Sequence, residues 1–325
     1  MTATFKKIIG AGLFIALLAA FFLSCAGTTP NTTTTPATLT STTFAHPASL
    51  TVTDQLGRTV TIIGRPQRII SLAPSNTEIV YALGLADRLV ARTDYDNYPP
   101  EARDKPSIGG FSTPNIEQIV AMSPDLVLAT SIHEGKIIPQ LEARGLAIVA
   151  LNPKTIDEVL TAINLVGKVT GVEEAAAALT ASMRQRVTAV TTKVGPSSLL
   201  PGVFYVVWHD PLMIAGVGTL HDELIRLSGG INLGHDLAGY ADISLETVIM
   251  ASPQVMIAGV GMGTGEDLPL QYIMNESRLA DTDARKNNRV YPIDVDLVGR
   301  PGPRIVDALE QFARFIHPER FEERP

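Results

Sequence analysis

Four large aromatic side chains stand beside chain-turning residues rather than deep within apolar runs. Tyr95 lies in Thr93-Asp94-Tyr95-Asp96-Asn97-Tyr98-Pro99-Pro100, Phe111 in Gly109-Gly110-Phe111-Ser112-Thr113-Pro114, and Tyr240 in Ala238-Gly239-Tyr240-Ala241-Asp242. Trp208 follows an apolar run that ends at Val207. Aromatic residues are only 6% of the chain, and its single Trp belongs to this set. Flat faces in such places suit a bulky, rigid ligand. Asp296 and Arg300, in a stretch that continues Pro301-Gly302-Pro303-Arg304, add a pair able to orient polar groups by hydrogen bonds. Bond-breaking chemistry finds no matching support. There is no G-x-S-x-G elbow, no G-x-x-x-x-G-K-[ST] loop and no H-E-x-x-H. The run from Gly259 to Gly265 lacks G-x-G-x-x-G spacing, and the acids Glu266 and Asp267 after it would repel phosphate. The six His (46, 133, 209, 221, 235 and 317) form no close pair and are expected at the surface or at helix ends. Only His209 and His235 stand out as able to meet in space. Glu173-Glu174 sits at a helix start, where the dipole favours acids. No acid/base dyad is visible, and the expectation is a protein that is not an enzyme, with no resident cofactor and no metal site.

Composition narrows the class further. The chain has 325 residues, 45% hydrophobic and 18% charged, enough to bury a core. Its net charge is -7 and it has no long basic run, so a nucleic-acid partner is not expected. One Cys excludes an internal disulfide framework. Lys6 and Lys7 precede an apolar run from Ile8 to Leu23, short of the roughly 20 residues of a membrane span and laid out as a signal peptide. The run ends at Leu23-Ser24-Cys25-Ala26-Gly27, which resembles a bacterial lipoprotein box, with Phe22 where Leu is usual. Residues 1–24 therefore read as a lipoprotein signal peptide and Cys25 as the lipidated first residue of the mature chain. The Thr- and Pro-rich residues 25–49 read as a flexible stalk. Lipid, stalk and globular body together place the body on the extracytoplasmic face of the cell membrane.

The elements that must position the aromatics alternate from Leu50 onward. Short β-rich runs such as Arg68-Ile69-Ile70-Ser71-Leu72 are followed by helical patterns, which predicts an α/β body with mostly parallel sheets. Residues 155–170 read as one helix and Val172 to about Lys193 as a longer one, bounded by Gly171 and by Gly195-Pro196. The chain also echoes itself. Asn115-Ile116-Glu117-Gln118-Ile119-Val120-Ala121-Met122-Ser123-Pro124 returns as Ser244-Leu245-Glu246-Thr247-Val248-Ile249-Met250-Ala251-Ser252-Pro253, and a buried-strand pattern follows each copy. The expected architecture is two Rossmann-like lobes, residues 50–170 and 195–325, joined by a single long helix at 171–194. A cleft between the lobes is the natural ligand site.

At Arg68-Ile69-Ile70-Ser71-Leu72-Ala73-Pro74-Ser75-Asn76-Thr77-Glu78 the chain resembles the helical-backbone, class III substrate-binding proteins of ABC importers, which carry cobalamin, haem and ferric siderophores. The likeness continues through Asp96-Asn97-Tyr98-Pro99-Pro100, both echoed segments, residues 223–232 and Arg300-Pro301-Gly302-Pro303-Arg304, and covers about residues 50–318. It is strongest with the cobalamin-binding branch. That resemblance implies a corrinoid as transported ligand, sandwiched by Tyr95, Phe111 and Tyr240, with Asp296 and Arg300 nearby. Thr130 departs from the branch, which has Trp there, and Trp208 stands where the branch has Gly and would supply the missing face. The resemblance also implies docking on an ABC permease dimer, with its ATPase, through one Glu per lobe. Glu117 and Glu246 hold those positions, and the echo makes them equivalents; Glu78 is a weaker alternative. A monomer is expected. The alternatives are haem, with Tyr95 or His209 as axial ligand, a ferric siderophore held by cleft Arg, a divalent metal, or a secreted α/β enzyme.

Overall fold

The computed structural model describes residues 48–196, 200–261 and 267–321. The expected signal peptide, Cys25 and all but the last two stalk residues lie outside them. Among the described residues, no helix is long and apolar enough to cross a membrane.

The body opens with a hairpin of β1 (Ser49–Thr53) and β2 (Thr59–Ile63), whose alternation turns Val52, Val60 and Ile62 inward. The first lobe then runs β3 (Ile69–Ser71), α1 (Pro74–Ala82), β4 (Leu89–Ala91), α2 (Ile116–Ala121), β5 (Leu126–Ala129), α3 (Ile137–Glu142), β6 (Ile148–Ala150) and α4 (Ile156–Thr170). Its four strands form a parallel sheet in the order β4-β3-β5-β6. Strands β3, β5 and β6 are buried along their whole length, as the unbroken apolar runs require in a covered parallel sheet.

Helix α4 starts on Thr155, whose hydroxyl accepts the Glu158 N–H, and stops at Gly171, whose φ of 73° only glycine adopts cheaply. The stop lasts two residues. Helix α5 (Glu173–Val194) then runs 22 residues, about 33 Å. Both helices fall within a residue or so of their expected limits.

The second lobe follows as β7 (Gly202–His209), β8 (Leu212–Ala215), α6 (Leu220–Leu227), β9 (Ile231–Asn232), β10 (Tyr240–Asp242), α7 (Leu245–Ala251) and β11 (Val255–Val260). It ends with α8 (Leu268–Asn275), α9 (Asp283–Lys286), β12 (Val290–Asp294), α10 (Val295–Gly299), α11 (Ile305–Ile316) and the short α12 (Pro318–Phe321). Its sheet has the order β10-β8-β7-β11-β12, with β9 beside β7; β8 pairs antiparallel with both β7 and β10, and the other pairs are parallel. The protein is thus a two-lobe α/β fold with mostly parallel sheets.

The sequence echo is a structural one. In each copy a capped helix, α2 on Asn115 and α7 on Ser244, ends at a left-handed serine, Ser123 with φ 46° and Ser252 with φ 39°. Their N–H groups bond the equivalent carbonyls of Val120 and Ile249. A proline and a central strand follow, β5 in one lobe and β11 in the other.

A single cluster of buried residues passes from one lobe to the other. It links Ile79 and Leu126 through Val166, Ala176 and Met183 to Val203 and Phe312. One tight point is the crossing of α4 and α5. A Cβ on Gly167 would sit 2.4 Å from the Ala176 Cβ, below any real contact. Gly167→Ala is therefore expected to cost about 1–3 kcal/mol by overpacking, read as a lower urea midpoint; an unchanged midpoint would show that the two helices part without cost.

Candidate functional site: the cleft between the lobes

Three adjoining cavities follow the junction of the lobes. The central one, about 500 Å³, is lined by Tyr95, Phe111 and Thr130 from the first lobe and by Asp296, Arg300 and Pro301 from the second. It shares Tyr95, Asp296 and Arg300 with a more polar cavity of about 650 Å³. It shares Pro153, Gly299 and Pro301 with a third of about 320 Å³, which Tyr240 and His221 also line. The rings of Tyr95 and Tyr240 are 61% and 55% exposed, so neither is consumed by core packing.

Loops past the strand ends carry these residues. Tyr95 and Asn97 follow β4, Thr130 follows β5, and Asp296 lies on the short α10 that begins where β12 ends. Asp294 caps α10 by accepting the Asp296 N–H at 2.8 Å. Arg300 then crosses the junction. One of its guanidinium nitrogens meets Asp296 Oδ2 at 2.6 Å and donates to the Tyr95 carbonyl, and the other donates to Asn97 Oδ1 at 2.6 Å. Asn97 returns a hydrogen bond to Asp296 Oδ2 at 3.0 Å. Both faces of the cleft are thereby held in register before any ligand arrives.

Behind this group lies Glu78, only 3% exposed. Arg304 grips it through Nε and Nη2 at 2.9 and 2.6 Å, Arg300 approaches at 3.5 Å, and the Arg304 guanidinium covers the Tyr98 ring at 3.9 Å. Glu78 was the weaker candidate for docking. Its burial within an interlobe ion cluster leaves it no surface to present, so that reading is corrected. Glu117 and Glu246 are exposed in the first turns of α2 and α7, with Glu246 3.8 Å from Arg278.

Trp208 departs from its expected place. Strand β7 continues through it to His209 and turns directly into β8. Its indole N–H donates to the Asp210 carbonyl at 3.0 Å, and its ring lies 4.9 Å from that of His209, which in turn faces Tyr272. It lines none of the three cavities. Tyr240 sits on the edge strand β10 rather than in a loop. Among the described residues, no three His, Cys, Asp or Glu converge as metal ligands would.

Two histidines lie at helix ends, as one of the expected placements had it, but both are buried behind the site rather than at the surface. His133 is fully buried; its Nδ1 accepts the Thr130 N–H at 3.0 Å, so Nε2 carries the proton and donates to the Phe111 carbonyl at 2.7 Å. Its ring also meets that of Phe111 edge-on at 5.5 Å. It therefore holds two cavity-lining residues from behind. His221, 6% exposed, packs on Tyr205 at 4.4 Å. His133 has one partner close in sequence, Thr130, but its contact with Phe111, like that of His221 with Tyr205, is made across the fold.

Burial lowers the pKa of both imidazoles, that of His221 to about 4. In the unfolded chain each titrates near 6.5, so the unfolded state binds more protons as pH falls below that value. Stability is then full above about pH 7 and falls between 6.5 and about 4. His221 alone should cost on the order of 2 kcal/mol between pH 7 and 5. Asp96 and Glu223, raised by burial, act in the opposite sense as the pH approaches the carboxyl range. Urea unfolding at both pH values should show the loss, and His221→Leu should flatten most of it. An equal loss in the variant would remove His221 from this account.

Comparison with known proteins agrees with this geometry. A family model described as periplasmic binding protein matches residues 69–297. An uncharacterized ABC transporter substrate-binding lipoprotein of Bacillus subtilis is 31% identical over 284 residues, 84% of this chain and 87% of that one. The crystal structure of the periplasmic vitamin B12-binding protein of Vibrio cholerae superposes with a TM-score of 0.67 at 30% identity, covering 79% of this chain and 99% of that chain. The apo periplasmic heme-binding protein of Roseiflexus sp. RS-1 superposes at 0.70 with 25% identity, covering 78% and 99%. With its two lobes, its single long helix and a cleft walled from both sides, the chain belongs to the periplasmic binding protein family, a family of solute-binding proteins.

Proposed function

We propose that this protein is an extracytoplasmic lipoprotein, anchored through Cys25, that captures cobalamin or a related corrinoid and delivers it to an ABC importer. The observation that carries this reading is the central cavity, where Tyr95 and Phe111 offer flat apolar faces opposite the fixed pair Asp296 and Arg300. Rings supply area and stacking, while a preset charge pair orients amide-rich side groups. Thr130 and the small residues around it leave room where a larger ring would project. The likeness to a vitamin B12-binding protein adds support. Cargo undergoes no bond chemistry in this reading.

Delivery would use Glu117 and Glu246 as symmetry-matched anchors for the two subunits of a permease. Their equivalence on α2 and α7 supports this, since a two-fold partner needs one anchor per lobe. A second reading is haem, favoured by Tyr95, whose hydroxyl lines the cleft without a hydrogen-bond partner among the described residues, and by the likeness to a heme-binding protein. A siderophore reading is weaker, because Arg300 is already committed to Asp296 and Asn97.

Incubation with cyanocobalamin, haemin or a ferric siderophore, followed by desalting and a visible spectrum, separates these readings. Retention of cyanocobalamin is expected; retention of haemin alone would overturn the choice of cargo. Tyr95→Ala should weaken cyanocobalamin binding by about 1 kcal/mol or more, and Trp208→Ala should leave it within about twofold. Reversing Glu117 and Glu246 to Arg together should abolish uptake with cargo affinity intact, and normal uptake would end the docking proposal.

A further inference from the structure

The cleft contains a pair of donors without a partner among the described residues. Helix α1 begins at Pro74 and borders the central cavity through Ala73, Pro74 and Ser75. Its N-cap is Ala73, with φ -154° and ψ 144°, and no side chain caps it. Thr155 caps α4 and Thr219 caps α6, whereas α1 shares its uncapped start with α5, α8 and α11. The donors of the first turn of α1 can be followed one by one. Pro74 has none. Asn76 and Thr77 both donate to the Ala73 carbonyl, at 3.0 and 3.1 Å. The Ser75 N–H has no partner among the described residues.

The Ser75 side chain makes the same point independently. Ser75 is 94% buried, being 6% exposed, and its hydroxyl has no hydrogen-bond partner among the described residues. Yet that oxygen is not among the sealed, unpartnered atoms of the protein. Ser75 is at the same time a lining residue of the central cavity. A buried hydroxyl without a partner is costly, and a helix start without a cap is costly as well. Both costs fall on one residue at the wall of the ligand cavity. An incoming oxygen acceptor would relieve both, and the positive end of the helix would favour it.

We propose that Ser75 is a polar receptor of the cleft, offering its main-chain N–H and its hydroxyl together to one oxygen acceptor on the cargo. The chemistry required is an amide carbonyl or a carboxylate on the rim of a large ring. Arg300 lines the same cavity, so cargo would be oriented from the first lobe by Ser75 and from the second by the Asp296–Arg300 pair. This inference rests on the reading of the protein as a binder of a large macrocycle.

The test uses Ser75→Ala and Ser75→Asp in the full chain, with cyanocobalamin as the amide-bearing probe and haemin as the carboxylate-bearing probe. Ser75→Ala should weaken the probe that wild type retains by roughly three- to tenfold. The thermal midpoint of the ligand-free variant should be unchanged or higher, because the hydroxyl it removes makes no bond in the empty protein. A hydroxyl with a structural role would lower that midpoint instead. Ser75→Asp brings its own negative charge to the helix start. It should cost a carboxylate probe tenfold more than Ser75→Ala does, and an amide probe about the same, which tells the two acceptor sources apart. Unchanged affinity in both variants, with wild type binding one probe, overturns the Ser75 receptor and leaves the cargo reading standing. Binding of neither probe by wild type overturns the macrocycle reading and the receptor with it.

Discussion

A carboxylate sealed at the junction of two lobes has to be neutralised where it stands, and this requirement organises the cleft. Glu78 comes from α1 in the first lobe, while its partners Arg300 and Arg304 come from the second. Removing either side would leave charge buried without compensation, which is far costlier than the pair is stabilising. The same Arg300 continues to Asp296, Asn97 and the Tyr95 carbonyl. One ion cluster thus fixes the relative setting of the lobes and the setting of the residues that face the ligand.

A second polar tie joins the lobes elsewhere. Glu223 of α6 accepts the Ile156 N–H at the start of α4, at 2.6 Å. Arg186 of α5 meets Asp307 and Glu310 of α11 at 2.5 and 2.8 Å. The shared apolar core runs beneath both. A continuous helix of 22 residues has no loop positions to absorb a hinge rotation. Such a frame presents its cavity largely preformed, and capture need not spend much energy on closure.

The internal echo gives this frame its outward symmetry. Two helix starts of matching sequence, each with an exposed Glu in its first turn, stand at equivalent points of two unequal lobes. The lobes differ in their sheets, four parallel strands against six of mixed direction. The helix, left-handed serine, proline and strand are nonetheless repeated closely.

Much of the architecture was legible along the chain because it depends on local chemistry. Apolar runs without alternation mark covered parallel strands. Gly171 stops one helix because the left-handed conformation is cheap there, and Thr155 starts it because its hydroxyl accepts an orphan N–H. These are effects among neighbours, and spacing reveals them. The choice of Tyr95, Phe111, Thr130, Asp296 and Arg300 as cleft residues came from likeness to a family and from rings placed in turns, and the structure gathers those five around one cavity.

What neighbours could not reveal was decided by contacts between residues far apart in sequence. Trp208 looked free at a strand end, but the strand continues through it and its ring is taken up by His209. Glu78 read as a weaker alternative docking residue, yet it is buried, with Arg304 from 226 positions away folded over it. His133 and His221 looked scattered, and each is buried by elements that arrive from elsewhere. The chain alone determined which segments become strands, helices and stops, because those follow from the conformational preferences of adjacent residues. Tertiary packing alone decided which polar groups are buried, paired or left open to a ligand, because desolvation is a property of the whole enclosure.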